Sequence, residues 1–309
     1  MGRRRKGQAV SGWINLDKPY DLGSTQAVSR VRRVFDAQKA GHAGTLDPLA
    51  TGILPIALGE ATKTVPFLVD ADKSYRFTIA WGRTTATYDL EGEILAVSDV
   101  RPSPDAVAAR LHRFIGEIDQ VPPAYSAIKI GGERAYDLAR AGEVFDIAAR
   151  RVNIFDARLA DAPDEDHVTL EVDCGKGVYI RALVRDLADL LGACGHVSAL
   201  RRTRVGRFSQ ADAVTLEMLE DLGYEPGQSE ALLPVETALD DIPVLAVTDE
   251  DAFRLKQGRS VVLVPRQVEA VKAGLKPGSR TVSAMSGGSM VALCEMRAGR
   301  LEPSRVFNL

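Results

Sequence analysis

Apolar residues recur with two different periods along the chain. Residues 75–81 alternate between large apolar and polar or small side chains, which is typical of a strand with one buried face. Between residues 24 and 35 the apolar positions instead fall three or four apart. That spacing predicts an amphipathic helix, and Ser24 is placed to be its N-cap.

The same patterns predict most of the remaining elements up to about residue 200. Strands or buried extended segments are predicted at 13–16, 53–58, 125–130, 152–159 and 168–174, and helices after Pro104, at about 133–141 and at about 179–191. Strands and helices are mixed irregularly, without a repeated β-α unit. This order favours an α+β fold over a doubly wound parallel sheet.

The last third of the chain changes character. Residues 211–241 contain nine acidic residues and no Lys or Arg, and together with Gly223 and Pro226-Gly227 they predict a helix followed by a connector. Beyond this boundary, short alternating runs at 261–264, 281–284 and 290–295 are separated by glycines. Such a pattern predicts a small β-barrel of roughly seventy residues.

The overall charge limits how this chain could bind nucleic acid. Its net charge is −3 and its pI is about 5.9, which argues against wholesale nonspecific binding, so RNA contacts would need local patches. Residues 243–309 carry ten basic and six acidic residues. Two further clusters could be RNA-binding patches or simply solvated faces: Arg30, Arg32, Arg33 and Lys39, and Arg201, Arg202, Arg204 and Arg207.

Other features indicate a cytoplasmic protein that does not enter the membrane. There is no run of about 18 apolar residues, and no apolar stretch follows the basic N-terminus as a signal peptide would require. Cys174, Cys194 and Cys294 are far apart, a spacing that predicts neither a disulfide framework nor a metal site.

One loop combines glycines with polar residues that could do chemistry. Residues 41–52 contain three glycines, one histidine and one carboxylate, with His42 five residues before Asp47. Asp47 precedes a proline, which favours an extended conformation and a turn. From the residues alone, Asp47 could equally start a structural turn or face a ligand that the small neighbours allow to approach.

Six segments, in this order and spacing, are similar to motifs of the TruB family of tRNA pseudouridine synthases. They are WINLDKP at 13–19, GHAGTLDPLATGILPIALGEATK at 41–63, KSYR at 73–76, PPAYSAIK at 122–129, GVYIR at 177–181 and ALRR at 199–202. The resemblance extends from about Trp13 to about Thr215 and resumes in the final residues, 305–309.

The resemblance implies a fold, a reaction and a substrate. The fold would be α+β, a pseudouridine-synthase fold with a mixed, mostly antiparallel sheet flanked by helices, plus a small C-terminal PUA-like β-barrel domain. The expected organisation is a basic tail at 1–10, a catalytic domain at 11–241 and an RNA-binding domain at 242–309. The enzyme would isomerise the uridine at position 55, in the T loop of tRNA, to pseudouridine, acting as a monomer on the T arm.

The resemblance also implies roles for individual residues. Asp47 would be the nucleophile and Arg181 the cation paired with it. Tyr75 would stack on a base flipped out of the RNA, His42 would contact the flipped nucleotide, and Tyr179 and Leu200 would complete the base pocket. Lys18 would support the loop beneath the site, and Asp89 would contact RNA. No metal and no cofactor are needed, and the sequence contains no P-loop, GxGxxG, HExxH or paired CxxC motif.

Two other classes of function remain open from the sequence. A tRNA-binding or folding factor could keep the scaffold without the chemistry, but it would not need a nucleophile paired with a cation. A hydrolase using Asp and His on a small molecule would need a nucleophile motif that the chain lacks.

Overall fold

A computed structural model describes residues 7–126, 128–143, 145–221 and 229–309. Most of the N-terminal tail and the Gly223 and Pro226-Gly227 part of the predicted connector lie outside these ranges. The strands are β1 (Gly12–Lys18), β2 (Ala40–His42), β3 (Thr51–Leu58), β4 (Lys73–Trp81), β5 (Arg83–Thr85), β6 (Ile94–Val97), β7 (Gly116–Gln120), β8 (Lys129–Ile130), β9 (Glu133–Arg134), β10 (Arg150–Asp164), β11 (His167–Cys174), β12 (Gly195–Val205), β13 (Phe208–Ser209), β14 (Val244–Ala246), β15 (Val261–Val262), β16 (Thr281–Ser286), β17 (Ser289–Arg297) and β18 (Arg300–Val306). The helices are α1 (Ser24–Val34), α2 (Val65–Asp70), α3 (Pro104–Leu111), α4 (Ala135–Arg140), α5 (Ile180–Leu190), α6 (Leu216–Glu220), α7 (Asp249–Lys256) and α8 (Pro265–Gly274).

The larger sheet has the mixed, mostly antiparallel arrangement that was predicted. Its order is β1-β3-β12-β4-β11-β10-β7, with β2 added to β3 and β13 added to β12. Only the pairing of β12 with β3 is parallel among the described strands of this sheet. Because β3 and β4 both pair with β12, the loop before β3 and the start of β4 meet at one place in the sheet.

Helix α5 covers the face of this sheet that contains the alternating apolar side chains of β4. Phe77 and Ile79 of β4 are buried against Leu183, Val184 and Leu187 of the helix. Helix α1 covers another part of the sheet, packing Ala27, Val31 and Phe35 against β1 and β3. The periods read from the sequence therefore identify the buried faces of both helices and of β4.

A second sheet is built from the last part of the chain. Its order is β14-β16-β17-β18-β15, and α7 packs on it. The predicted runs at 261–264, 281–284 and 290–295 correspond to β15, β16 and β17. The alternation did not reveal β14 or β18, since β14 is three residues long and β18 includes Pro303. The predicted PUA-like barrel and the domain boundaries stay predictions.

Several local predictions were wrong in detail. Gly23, not Ser24, is the N-cap of α1. Its N–H donates to the Gln26 side chain, and the Ser24 hydroxyl donates to the Leu46 carbonyl instead. The predicted strand at 125–130 is reduced to the two residues of β8, because backbone bonds from Ala135 and Tyr136 turn the chain there. Among the described helices, none is long and apolar enough to cross a membrane.

Candidate active site

Residues 43–50 connect β2 to β3 within the segment 41–52 that contains three glycines, and we call this loop the signature loop. Glycines with positive φ lie near both ends of this loop: Gly44 within it has φ +93°, and Gly52 just after it, in β3, has φ +101°. The Ala50 N–H donates to the Asp47 carbonyl at 3.1 Å, so Asp47 does start a turn. That turn leaves the Asp47 carboxylate 38% exposed, in front of the sheet.

The structure brings Asp47 and Arg181 together. Arg181 is the second residue of α5, and its Nε lies 3.0 Å from Asp47 Oδ2. The guanidinium also donates to the carbonyls of Thr87 at 3.0 Å and Tyr125 at 2.9 Å. Its side chain is only 7% exposed, so three parts of the chain hold it in place. An accessible carboxylate thus lies in front of a buried, fixed cation.

Asp89 belongs to the same group of charges as Asp47 and Arg181. Its carboxylate lies 3.6 Å from Arg181 Nε and accepts from the Thr87 hydroxyl and from the Glu91 N–H at 3.0 Å. It is 8% exposed and has polar partners within its own turn. Asp89 therefore acts as a second anion beside Arg181 in this structure, and its predicted contact with RNA stays a prediction.

A cavity of about 300 Å³ opens beside the ion pair. Asp47 and Arg181 line one part of it, and Tyr75, Tyr179 and Leu200 line the rest, together with Lys73 and Arg202. Four sequence-predicted residues besides Asp47 therefore surround one space. Tyr75 is 9% exposed, and burial raises the pKa of its hydroxyl and that of Tyr179.

The position of Tyr179 depends on a buried glutamine that the sequence did not reveal. Gln120 Oε1 accepts from the Tyr179 N–H at 2.8 Å, and its Nε2 donates to the Tyr179 carbonyl at 3.2 Å. Gln120 is 1% exposed and ends β7, at the far edge of the sheet. Two reciprocal bonds thus hold the residue that precedes α5 and its Arg181.

Lys18 and His42 lie outside the cavity. Lys18 is fully buried, and its ammonium donates to the carbonyls of Pro19, Leu22 and Pro48 at 2.7–3.1 Å. Through Pro48 it is bonded to the signature loop, and its predicted supporting role in the reaction stays a prediction. His42 ends β2 just before the loop, and its Nδ1 has no hydrogen-bond partner in the described part of the chain. Burial lowers the pKa of His42, and the nearby Arg202 lowers it further.

The structure corrects the prediction for one member of the basic clusters, Arg202. Arg202 is buried at 1% exposure, so it belongs to the interior and not to an RNA-binding patch or a solvated face. Arg201 pairs with Asp17 at 2.6 Å and Arg207 with Asp240 at 2.7 Å. In the other cluster, Arg30 pairs with Glu220 at 2.7 Å. Within the cluster at 201–207, one arginine is thus buried while two others form ion pairs with partly exposed side chains.

The chain is similar in sequence to known proteins of one family. Residues 32–180 match the sequence model for the TruB family pseudouridylate synthase N-terminal domain, and residues 181–240 match that for the tRNA pseudouridylate synthase B C-terminal domain. The chain is 72% identical to tRNA pseudouridine synthase B of Caulobacter vibrioides, with both chains covered completely. It is 52% identical to the protein of the same name from Bradyrhizobium diazoefficiens, over 99% of this chain and 88% of the relative.

Solved structures support the same grouping at the level of the fold. A chain in the archaeal box H/ACA sRNP Nop10–Cbf5 complex aligns with a TM-score of 0.70 at 23% identity, covering 100% of this chain and 93% of the other. A chain of an H/ACA RNP bound to a substrate RNA containing 2′-deoxyuridine aligns with a TM-score of 0.71 at 23% identity, covering 100% and 92%. The fold is shared, and the sequence matches above are far closer: the chain belongs to the TruB family of pseudouridine synthases.

Proposed function

We propose that the chain is a tRNA pseudouridine synthase that acts on the uridine at position 55, in the T loop, with Asp47 as its nucleophile. The names of its relatives, tRNA pseudouridine synthase B in both cases, support tRNA as the substrate. The observation that carries the chemistry is the accessible Asp47 carboxylate, 3.0 Å from a buried Arg181 at the wall of a cavity.

The reaction is an isomerisation: product and substrate have the same atoms, so no second reactant is needed. The bond between the ribose carbon and the uracil nitrogen breaks, the base turns, and a bond to a ring carbon forms. The proton on that carbon is lost, and the freed nitrogen gains one. The protein must supply an ionised carboxylate to attack the substrate, and Arg181 gives Asp47 a cation partner while substrate excludes water.

The cavity fits a base that has left the RNA stack. Flipping a base costs a few kcal/mol, and stacking on an aromatic side chain is worth roughly 1–3 kcal/mol per base. Tyr75 supplies that aromatic wall, with Tyr179 and Leu200 on the other sides. His42, neutral near pH 7 because its pKa is lowered, would contact the RNA at the edge of the loop.

The remaining contacts with tRNA would come from the C-terminal sheet, which we propose to be a PUA-like RNA-binding domain spanning residues 242–309. Arg280, Arg300 and Arg305 have exposed side chains there and could bind phosphates. Residues 11–241 would form the catalytic domain.

Mapping pseudouridine in an unmodified tRNA transcript tests this function directly. Purified protein should convert the T-loop uridine and no other uridine of that transcript. A transcript carrying cytidine at position 55 should yield no product, which serves as the control. Binding of the transcript without any pseudouridine would instead identify a tRNA-binding factor and would contradict the proposed chemistry.

A further inference from the structure

Arg202 is a buried cation whose contacts lead to the signature loop. It lies on β12, next to Tyr75 of β4 on one side and Gly52 of β3 on the other. Its Nε donates to the Ile53 carbonyl at 2.7 Å. Its two remaining nitrogens reach the carbonyls of Thr45 at 3.2 Å and Gly44 at 3.1 Å. One side chain thus connects the sheet to the residues just before Asp47.

Two glycines lie against Arg202, Gly44 of the loop beside its guanidinium and Gly52 of β3 beside its backbone. A Cβ at Gly44 would lie 3.7 Å from Arg202 Nη1, and a Cβ at Gly52 would lie 2.2 Å from the Arg202 carbonyl oxygen. Both glycines also have positive φ. The backbone around the loop therefore runs close to Arg202, which lets its side chain reach the residues before Asp47.

Side chains from other elements bind four of the backbone carbonyls along this loop. Arg202 binds those of Gly44 and Thr45, the Ser24 hydroxyl binds that of Leu46 at 2.7 Å, and Lys18 binds that of Pro48 at 3.1 Å. These contacts hold the peptide groups on both sides of Asp47, and Arg202 supplies two of them.

We infer that Arg202 is a positioning residue for the proposed reaction, which holds the signature loop so that the Asp47 carboxylate faces both Arg181 and the cavity. This inference rests on the proposed function. A planar guanidinium suits this role, because its donors diverge in a rigid fork that reaches carbonyls of β3 and of the loop together. A lysine at this position would keep the charge but could not bind all three carbonyls in the same geometry.

Substituting Arg202 should therefore impair the chemical step and not tRNA binding. Arg202 is 1% exposed, so it contributes no phosphate contact on the surface. A misplacement of about 1 Å in a reacting group can cost about 100-fold in rate. Arg202→Lys should therefore slow conversion of bound tRNA by at least ~10-fold, and Arg202→Met by ~100-fold.

Single-turnover conversion with excess enzyme tests this, alongside the Kd for tRNA and the urea unfolding midpoint. The Kd should stay within about two-fold of wild type for Arg202→Lys, since the lost contacts are internal. Arg158→Lys is the matched control, because Arg158 forms exposed ion pairs with Asp156 and Glu171 and should leave the rate unchanged.

The outcomes separate this inference from the proposed function. If wild type itself makes no pseudouridine, the proposed function is wrong. If wild type is active and folded Arg202→Lys converts bound tRNA at the wild-type rate, the positioning role is wrong. It is equally wrong if Arg202→Lys loses tRNA affinity with an unchanged bound-state rate. Should Arg202→Met fail to fold, Arg202→Lys decides, because it keeps the charge and most of the volume.

Discussion

Lys18 is a buried cation beneath the signature loop. Its side chain is fully buried, and three backbone carbonyls accept from its ammonium. Burial lowers the pKa of Lys18 to about 8, although attraction to Asp47 opposes that shift. Burial also lowers the pKa of Lys73, in the cavity wall, to about 8. Both lysines therefore lose protons within the range that an enzyme assay can reach.

Activity should decline above about pH 8 without loss of the fold. A neutral Lys18 amine has two N–H donors for three carbonyls, so the support of Pro48 weakens. Stability should move in the opposite direction. Because the native pKa lies below the unfolded value of 10.5, the unfolded chain binds more protons between about pH 8 and 10.5, and the unfolding free energy contributed by this group rises with pH there.

Single-turnover rates and urea midpoints between pH 7 and 9.5 would check this, with tRNA affinity measured at each pH. Rates that stay flat to pH 9.5 would show that protonation of Lys18 does not matter. Rates that fall only as the protein unfolds would do the same.

Tyr75 should be needed for the reaction but not for the fold. Its ring lies on the buried face near the start of β4 and lines the cavity. Tyr75→Leu keeps an apolar side chain there but removes a stacking face worth roughly 1–3 kcal/mol, so about a 10- to 100-fold loss of single-turnover rate is expected. Tyr75→Phe is the control that keeps the ring. Equal rates for Leu and Phe variants would refute stacking.

At the scale of elements, the signature loop depends on how closely β3 and β12 approach each other. Their parallel pairing places Gly52 directly beside Arg202, and a Cβ at Gly52 would lie 2.2 Å from a backbone oxygen. At Gly41, near the other end of the loop segment, no described atom lies within 4 Å of an added Cβ. Two glycines of the same motif thus meet different constraints.

Gly52→Ala should destabilise the protein strongly, and Gly41→Ala should not. At Gly52 the new methyl meets backbone in a left-handed conformation, which costs more than the ~1 kcal/mol gained when alanine fits without strain. We expect a loss of at least about 2 kcal/mol in the urea unfolding free energy, within the range for strained backbone sites. Gly41→Ala should stay within about 0.5 kcal/mol. Equal effects at both positions would contradict the close approach.

The elements show what periodicity can and cannot predict. It identified α1, β4 and α5 because each buries one apolar face, which fixes the spacing of Ala27 and Val31 or of Phe77 and Ile79. It could not assign Ser24, since a hydroxyl near a helix start serves equally as a cap or as a bond to a distant loop. The Leu46 carbonyl that it binds is 22 residues away.

Only some residues of the site could be predicted from the sequence. Family motifs indicated Asp47, Arg181, Tyr75, Tyr179 and Leu200, and the structure places them around one cavity. Gln120 and the interior role of Arg202 were missed. Their function depends on long-range contacts with backbone groups, and backbone carbonyls leave no signal in the sequence.

At the scale of the whole molecule, one of the apolar clusters joins the two sheets. Met290, Leu293 and Phe307 of the C-terminal part pack in the same cluster as Trp13 and Ile53. The end of the chain adds polar contacts, since the Asn308 N–H donates to Glu60 and Lys63 donates to the Val306 carbonyl, at 2.8 and 2.7 Å. Removing the C-terminal sheet would therefore uncover the core, so its role in RNA binding is better tested with substitutions.

Neutralising the exposed arginines Arg280, Arg300 and Arg305 together, each to Gln, should weaken tRNA binding but leave the conversion of bound tRNA unchanged. Each lost phosphate contact lowers the slope of log affinity against log salt by roughly 0.7–0.9. The measurement is the Kd at several salt concentrations, with single-turnover rate at saturating enzyme. Arg158→Gln is the control. Unchanged affinity and slope in the triple variant would rule out RNA binding by this surface.

The central claim is that the Asp47 carboxylate is the nucleophile, and Asp47→Asn tests it most directly. The amide keeps the size of the side chain, and Arg181 retains Asp89 at 3.6 Å as an anionic neighbour, so the variant should fold. It should bind tRNA with near wild-type affinity.

Single-turnover assays with excess Asp47→Asn enzyme should yield no pseudouridine, because an amide cannot act as an anionic nucleophile. Asp240→Asn is the matched control, since Asp240 also pairs with an arginine, Arg207, at 2.7 Å but lies away from the cavity, and it should keep the wild-type rate. Pseudouridine formed by pure Asp47→Asn enzyme on bound tRNA would contradict the account and reduce Asp47 to a turn residue.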